Sequence, residues 1–326
     1  MLGAFDPVTG ALQKWQVSLG YRYQRSDRHF RGTHEEANRT AEGSEVINTL
    51  NLVDLGIRYN FTPRASLSIG IPYLYADRSS PIRDDDRVVI DRSIVQAQEI
   101  GDVTLTGRYL LWDPASQARG NVQLGLGIKA PTGEHDVVDV RERLGDDGER
   151  IRTVETVDQS IQPGDGGWGA IVDLSAFRAL GSTGEYALYA SGAYLVNPEG
   201  TNGTPTFRGR ESEAIMSIAD QYLFRTGAIA APASWKGFGV GLGGRIEGVP
   251  VHDLFGSSEG FRRPGYAVSV EPSLSWTSGV HSFSLSVPYA VQRNRQRSVP
   301  DLLEPGRHGD AAFADYVVLL GYWQRF

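Results

Sequence analysis

The last stretch of the chain, residues 313–326, reads FADYVVLLGYWQRF. Tyr316, Val318, Leu320, Tyr322 and Phe326 share one parity in this stretch, and polar Gln324 interrupts the series. Successive side chains of a β-strand point to opposite faces of the sheet. The stretch therefore predicts a final strand with one apolar face, which we expect to face lipid. Because lipid cannot satisfy backbone hydrogen bonds, such a strand must pair with another, and the first strand of the chain is the expected partner.

Period-two alternation recurs along the rest of the sequence. In 65–77, for example, Leu67, Ile69 and Ile71 alternate with small or polar residues. Counting such runs predicts about twelve strands. They lie near 12–25, 47–61, 65–77, 100–112, 120–131, 167–179, 185–196, 214–229, 237–248, 265–277, 281–293 and 313–326. The sixth and eighth are the weakest predictions. In the eighth, Asp220 and Arg225 interrupt the alternation.

The connections between these runs alternate in length. Those after odd-numbered strands are long and charged: 26–46, 78–99, 132–166, 197–213, 249–264 and 294–312. Those after even-numbered strands are short and turn-like: 62–64, 113–120, 181–184, 231–237 and 278–280. Outer-membrane barrels have short periplasmic turns and long extracellular loops, whereas a soluble sandwich has no reason to sort its loops. The pattern predicts an all-β fold, a closed antiparallel transmembrane β-barrel of about twelve strands.

Composition agrees with this class of fold. The chain has 326 residues, of which 40% are hydrophobic and 22% charged, a net charge of −7 and no cysteine. These values argue against disorder, a basic nucleic-acid surface and thiolate chemistry. No stretch has the roughly 18 apolar residues of a membrane helix. Residues 1–6 lack the features of a signal peptide, so we expect a mature chain in the bacterial outer membrane. We predict one barrel domain, 1–326, with a periplasmic N-terminal segment at 1–11.

Aromatic residues cluster toward the ends of the predicted strands, where amphipathic rings can sit at the membrane–water boundary. Their strand propensity alone offers a simpler explanation. The residues predicted to form this girdle are Trp15, Tyr21, Tyr23, Tyr59, Tyr73, Tyr75, Tyr109, Trp112, Trp276, Tyr289, Tyr322 and Phe326.

Three glycine-rich segments resemble the outer-membrane family described as meta-pathway phenol degradation transporters. They are 101–112 (GDVTLTGRYLLW), 124–136 (LGLGIKAPTGEHD) and 164–177 (GDGGWGAIVDLSAF), and they cover about the central third of the chain together with the strand at 186–196. The resemblance implies a barrel that passes small, aromatic or hydrophobic compounds, with no binding residues to carry over. A charged insert at 134–160 and the segment 245–266 depart from it. The terminal aromatic residue also resembles the signature that the barrel assembly machinery recognises.

Strand parity also predicts which charged residues face the lumen. They are Arg22, Asp54, Arg58, Asp102, Arg108, Lys129, Asp173, Arg245, Glu247, Glu271 and Asp315. One interpretation is a lining that selects solutes by charge. The other is that acids and bases pair across a narrow interior and fill it. The sequence supports both equally.

Other charged groups suggest weaker alternatives. Arg245, Glu247, His252 and Asp253 are predicted near the outer rim, where they could bind a solute or a metal ion, but a solvated loop is favoured. Arg262-Arg263 could pair with these acids or contact lipopolysaccharide; a solvated loop is again favoured. The acidic runs 84–86 and 145–149 lack full calcium-loop spacing and fit charged loop tips better.

The sequence favours a passive channel for small solutes over an enzyme. No Gly-x-Ser-x-Gly elbow, phosphate-binding loop or His-x-Ser-Asn-Gly motif is present, and a hydrolase using His252 or His308 has little support. No cofactor or metal is predicted. The alternative is a non-conducting surface barrel whose long loops bind a partner or lipopolysaccharide. Expected partners are outer-membrane lipid and lipopolysaccharide, the assembly machinery through the last strand, and a small solute, but no nucleic acid.

Overall fold

Twelve antiparallel strands form a closed barrel in the computed structural model, which describes residues 13–326. The predicted segment 1–11 lies outside these residues. The strands are β1 Trp15–Arg31, β2 Ile47–Asn60, β3 Ala65–Arg83, β4 Val89–Ile100 continued by Thr104–Leu110, β5 Gly120–Lys129, β6 Gly169–Leu180, β7 Tyr186–Val196, β8 Gln221–Ala230, β9 Phe238–Val249, β10 Gly265–Ser278, β11 His281–Ser286 continued by Tyr289–Arg295, and β12 Ala311–Arg325.

Each strand pairs with its neighbour in sequence, and β12 closes the barrel by pairing with β1. At the closure Leu19 lies opposite Tyr322 on one side and Leu55 on the other. Trp15 and Phe326 exchange backbone hydrogen bonds of 3.3 and 2.8 Å. The start of β1 and the end of β12 therefore lie at the end of the barrel that carries the short turns, here called the turn end. The opposite end is called the loop end.

Two strands are interrupted. In β4 the break lies at 101–103, where the amide of Gly101 donates to the carbonyl of Pro72 on β3. In β11 it falls at Val287 and Pro288, where proline lacks the N–H that a continuous strand would need. The fold keeps the twelve predicted strands because each pair of segments follows one neighbouring strand.

The long connections are more ordered than the sequence predicts. Strands β3 and β4 extend far beyond predicted limits, so 78–99 is mostly a hairpin. Further elements in the loops are short strands at His34–Glu35, Val138–Leu144, Arg150–Thr156, Thr201–Pro205 and Ile215–Ser217, α1 at Asn38–Ala41, α2 at Val299–Leu303, and 3₁₀ turns at Gln159–Ile161, Glu211–Glu213 and Ala233–Trp235. The prediction that the eighth strand begins at 214 is wrong: 215–217 pairs with the loop strand 201–205.

The outer surface of the barrel is apolar on every strand. An exposed large apolar residue from each strand in turn is Leu19, Leu55, Leu67, Leu105, Leu126, Val172, Leu188, Phe224, Leu242, Leu274, Val291 and Leu320. An apolar surface of this extent is unstable in water and suits a hydrocarbon environment. In the part of the chain that the structure describes, no helix is both long and apolar enough to cross a membrane.

The inner surface is polar along much of the barrel, and one patch of it toward the loop end is apolar. There Leu74 and Ala76 of β3 and Ala97 of β4 form a small buried cluster with Val157 and Ile161. The last two residues belong to the long loop between β5 and β6, which therefore folds into the mouth of the barrel. Alternation in the sequence cannot reveal this core, because the core is built from apolar residues on the inner face, which the sequence predicts to be polar and hydrated.

Candidate solute pathway

A chamber of about 320 Å³, here called the inner chamber, lies in the turn-end half of the barrel and has both polar and apolar residues in its lining. Its lining includes Asp54, Arg58, Arg108, Asp173 and Arg225. Arg108 reaches across β5 to Asp173 on β6, with 3.0 Å between nitrogen and oxygen, and also donates to the hydroxyl of Ser68. Charges of both signs thus border this chamber, and some of them are paired.

Small residues on the strands make room for these long side chains. A Cβ atom added to Gly125 would lie 2.3 Å from the carboxylate of Asp173. Another added to Gly321 would lie 2.3 Å from the ring of Trp323, a buried aromatic residue that borders the same chamber. Glycine is needed at both positions because the side chains of neighbouring residues occupy the space.

A buried charge cluster lies on β8, β9 and β10. The carboxylate of Glu271 is 3.2 Å from Arg225 and 3.8 Å from Arg245, and all three side chains are almost completely buried. Arg245 also donates to Glu247 at 2.6 Å. Each buried arginine therefore has a carboxylate within ion-pair distance, which keeps charges this deep from being left without compensation.

One ion pair crosses the interior. Arg22 on β1 binds Glu247 on β9 through two hydrogen bonds of 3.2 and 2.9 Å. Three strands, β10 to β12, separate β1 from β9 along the shorter way round the barrel. The pair is therefore a chord across the lumen rather than a contact along the wall.

A second chamber, of about 660 Å³, lies on the loop side of this ion pair and is called the outer chamber. Arg22 and Glu247 both border it, together with inward-folded loop residues such as Arg208 and Arg263. A third cavity of about 230 Å³ shares Leu52 with the outer chamber and Ala193 with the inner one. The third cavity is therefore a neighbour of both chambers, and neither Arg22 nor Glu247 is among its lining residues.

Asp158 anchors the inward-folded loop between β5 and β6. Its carboxylate accepts two hydrogen bonds from Arg263, at 2.8 and 2.7 Å, and lies 3.4 Å from Arg78 of β3. Burial alone would raise the pKa of Asp158, but the guanidinium groups of Arg263 and Arg78 outweigh it and hold the pKa well below its usual range. The ionised carboxylate thus ties two loops and the barrel wall together.

This anchor should weaken only when the pH falls below about 4. A carboxylate with a depressed pKa in the folded state stabilises fully above its unfolded pKa of about 3.9, and the contribution is lost as the pH falls below it. We expect hydrogen exchange of 157–161, corrected for the intrinsic pH dependence, to stay slow from pH 8 to 5 and to accelerate below about pH 4. The Asp158→Asn variant should exchange fast throughout. Protection lost already near pH 6 would contradict this assignment.

The three glycine-rich segments meet at the break in β4. The carboxylate of Asp102 accepts from the amides of Gly133 (3.0 Å) and Asp165 (3.1 Å), and buried Lys129 lies against both acids, 3.6 Å from Asp102. At Gly133 an added Cβ would lie 2.8 Å from the backbone of Gly101. Sequence segments far apart in the chain therefore build one junction, called here the Asp102 junction, where the inward-folded loop leaves and rejoins the wall.

Comparison with known proteins shows which solved structures have a similar architecture. No family model and no curated protein matches the chain. Among solved structures, an outer membrane channel from Pseudomonas putida F1 has a TM-score of 0.60 at 12% identity, covering 99% of this chain and 100% of that one. The fold is that of an outer-membrane β-barrel. The β domain of the Bordetella autotransporter BrkA (TM-score 0.47, 13% identity, 96% and 100% covered) and the P. putida toluene transporter TodX (0.46, 8%, 97% and 91%) are more distant.

Within this outer-membrane barrel, the residues predicted to line the lumen do not form one ring. Asp54, Arg58, Arg108 and Asp173 border the inner chamber. Asp102 and Lys129 belong to the Asp102 junction, and Arg22, Arg245, Glu247 and Glu271 form the cross-lumen pair and the adjoining cluster. Asp315 lies further toward the loop end, where it pairs with Arg28 and Arg293. Their role in solute selection remains a prediction.

The predicted outer-rim group of Arg245, Glu247, His252 and Asp253 is not brought together. The first two lie inside the barrel, and His252 is exposed. Asp253 is buried against Arg262, at 2.6 Å. The prediction of a solvated loop for Arg262 and Arg263 is therefore wrong: both turn inward because buried carboxylates compensate their charges. Within 13–326 no group of three or more His, Asp or Glu residues could hold a metal ion.

Sequence reasoning also missed residues that shape the interior and the outer face of the barrel. Arg225 interrupts the alternation of β8 only if it is assigned to the outer face; its burial shows that it points inward with Leu223. The Asp158–Arg263 pair joins residues 105 positions apart, and no local pattern signals it. On the outer face, Phe238, Trp276, Phe283 and Tyr322 form a continuous series of ring contacts of 4.8–6.0 Å near the turn end. Two of these residues, Phe238 and Phe283, were not predicted.

Proposed function

We propose that this protein is an outer-membrane channel for the passive diffusion of small solutes, including small aromatic or hydrophobic compounds. The observation that carries this proposal is a series of three neighbouring cavities inside the barrel, the smallest of which borders both chambers away from the Arg22–Glu247 pair. Polar groups of both signs border the series, as in a wet lumen. The named function of the P. putida channel, similar in fold, is consistent with it.

The proposal extends to the surroundings of the barrel. The predicted aromatic residues would form girdles at both membrane boundaries, with outer-membrane lipid around the apolar belt and lipopolysaccharide against the charged loops. The terminal strand would be recognised by the assembly machinery, after removal of a signal peptide. No catalytic role is proposed. Each of these statements rests on the barrel geometry and on the patterns in the sequence.

Single-channel conductance of the refolded, detergent-purified protein tests the proposal. We expect small, discrete openings in a planar bilayer, because the cavities are narrow and the inward-folded loops occupy part of the mouth. An aromatic acid and a neutral sugar, added in turn, should differ in their effect on the current. A protein that is heat-modifiable and rich in β-structure but shows zero conductance would overturn the channel. It would favour the second candidate, a surface barrel that binds partners through its loops, since these loops are ordered and occupy part of the mouth.

A further inference from the structure

The wall of the outer chamber carries more positive than negative charge. Arg78, Arg208 and Arg263 border the chamber. Asp158 is the carboxylate that pairs with both Arg78 and Arg263. Arg208 has no ion pair with any acid among residues 13–326. Arg78 and Arg263 therefore share one carboxylate, while the acids Glu213, Asp158 and Asp310 act on Arg208 only from beyond ion-pair distance.

Arg208 is held by aromatic rings instead of acids. Its guanidinium carbon lies 4.6 Å from the ring centre of Phe261 and 5.0 Å from that of Phe207. Arg263 lies over Phe261 at the same distance of 4.6 Å. The Nε of Arg208 is buried without a hydrogen-bond partner in the described part of the chain. Rings hold a guanidinium in place without neutralising it, so its charge stays available.

The environment of Arg208 disfavours an isolated positive charge. Burial lowers its pKa, and the neighbouring charge of Arg263 lowers the pKa further. A bound anion would offset both effects, since a carboxylate forms strong, charge-assisted hydrogen bonds with a guanidinium. Arg141 and Arg208 already lie over the ring of Phe207, at 5.2 and 5.0 Å. Phe207 is nevertheless 42% exposed and borders the same chamber, so an aromatic solute could contact its exposed part.

We propose that the outer chamber binds small aromatic carboxylates, with the carboxylate on Arg208 and the ring against Phe207. The site lies before the cross-lumen pair for a solute that comes from the loop end. It would raise the local concentration of aromatic acids where the lumen narrows. This inference rests on the proposed function, which it deepens by naming the solute class, but the binding step does not need conduction.

Titration calorimetry of benzoate binding to the full-length protein in detergent tests the site. Benzyl alcohol is the matched probe without a charge. Arg208→Gln is the test variant and Arg210→Gln the control, because Arg210 lies two residues further along, is exposed and pairs with Glu304. We expect Arg208→Gln to weaken benzoate binding about ten-fold, as loss of a charge-assisted hydrogen bond implies. Arg210→Gln should bind like the unaltered protein.

Several outcomes would overturn the site: equal binding of benzoate and benzyl alcohol, no benzoate binding, or unchanged affinity in Arg208→Gln. If that variant fails to become heat-modifiable, Arg208→Lys, which keeps the charge but loses the fork of donors, replaces it and should also bind benzoate more weakly. Benzoate binding without conductance would support the site and refute the channel. Conductance without benzoate binding would support the channel and refute the site.

Discussion

Replacing Lys129 by methionine is expected to destabilise the folded barrel by about 3–5 kcal/mol, as removal of one partner from a buried ion pair does. Lys129 is almost fully buried and lies against both Asp102 and Asp165. Methionine fills a similar volume, so the loss would come from charge: two carboxylates would share a buried site without a cation. The midpoint of urea unfolding of the detergent-solubilised protein measures the effect.

The pH dependence of this variant separates charge from packing. Protonation of either carboxylate relieves the repulsion, so the deficit of Lys129→Met should shrink in mild acid. The double variant Lys129→Met/Asp165→Asn should recover much of the stability at neutral pH. Asp85→Ala, at the exposed tip of the β3–β4 hairpin, is a control that should change little. A deficit that is independent of pH and remains in the double variant would show that Lys129 acts through packing alone.

Replacing Arg22 by alanine is expected to increase single-channel conductance several-fold. The change removes the one described side chain that reaches from β1 to β9, while Glu247 keeps its partner Arg245. Loss of this side chain should widen the space between the inner and outer chambers. Since Glu247 would face an open lumen, the current should also shift toward cations. Conductance and reversal potential in a salt gradient measure both effects.

Arg25→Ala is the matched control for this prediction. Arg25 lies on the same strand, and its side chain is half exposed and paired with Asp27. The variant has the same change in net charge, yet its conductance should equal that of the unaltered protein. Equal conductance for Arg22→Ala and the unaltered protein would show that the Arg22–Glu247 pair does not limit flow. An increase in conductance in both variants would show that the overall charge, and not the ion pair across the lumen, determines the conductance.

The sequence by itself determined the barrel. Alternation places one apolar face on each strand, and the parity of the connections sorts turns from loops, because a membrane barrel needs both features along its whole length. The twelve strands follow from these repeated local signals, and so does the side of the wall on which residues such as Asp173 and Leu126 lie. Periodicity is readable in sequence because it acts between neighbours in the chain.

Only the tertiary structure decided how the interior is divided. Arg22 and Glu247 are 225 residues apart, and nothing in either strand indicates that they meet across the lumen. Asp158 and Arg263 lie in loops that look solvated in the sequence, yet mutual compensation lets them fold into the mouth. Pairing of charges across a cavity depends on the three-dimensional distance between loops and walls. That distance leaves no period in the sequence, so the chambers and their charges could be found only in the folded chain.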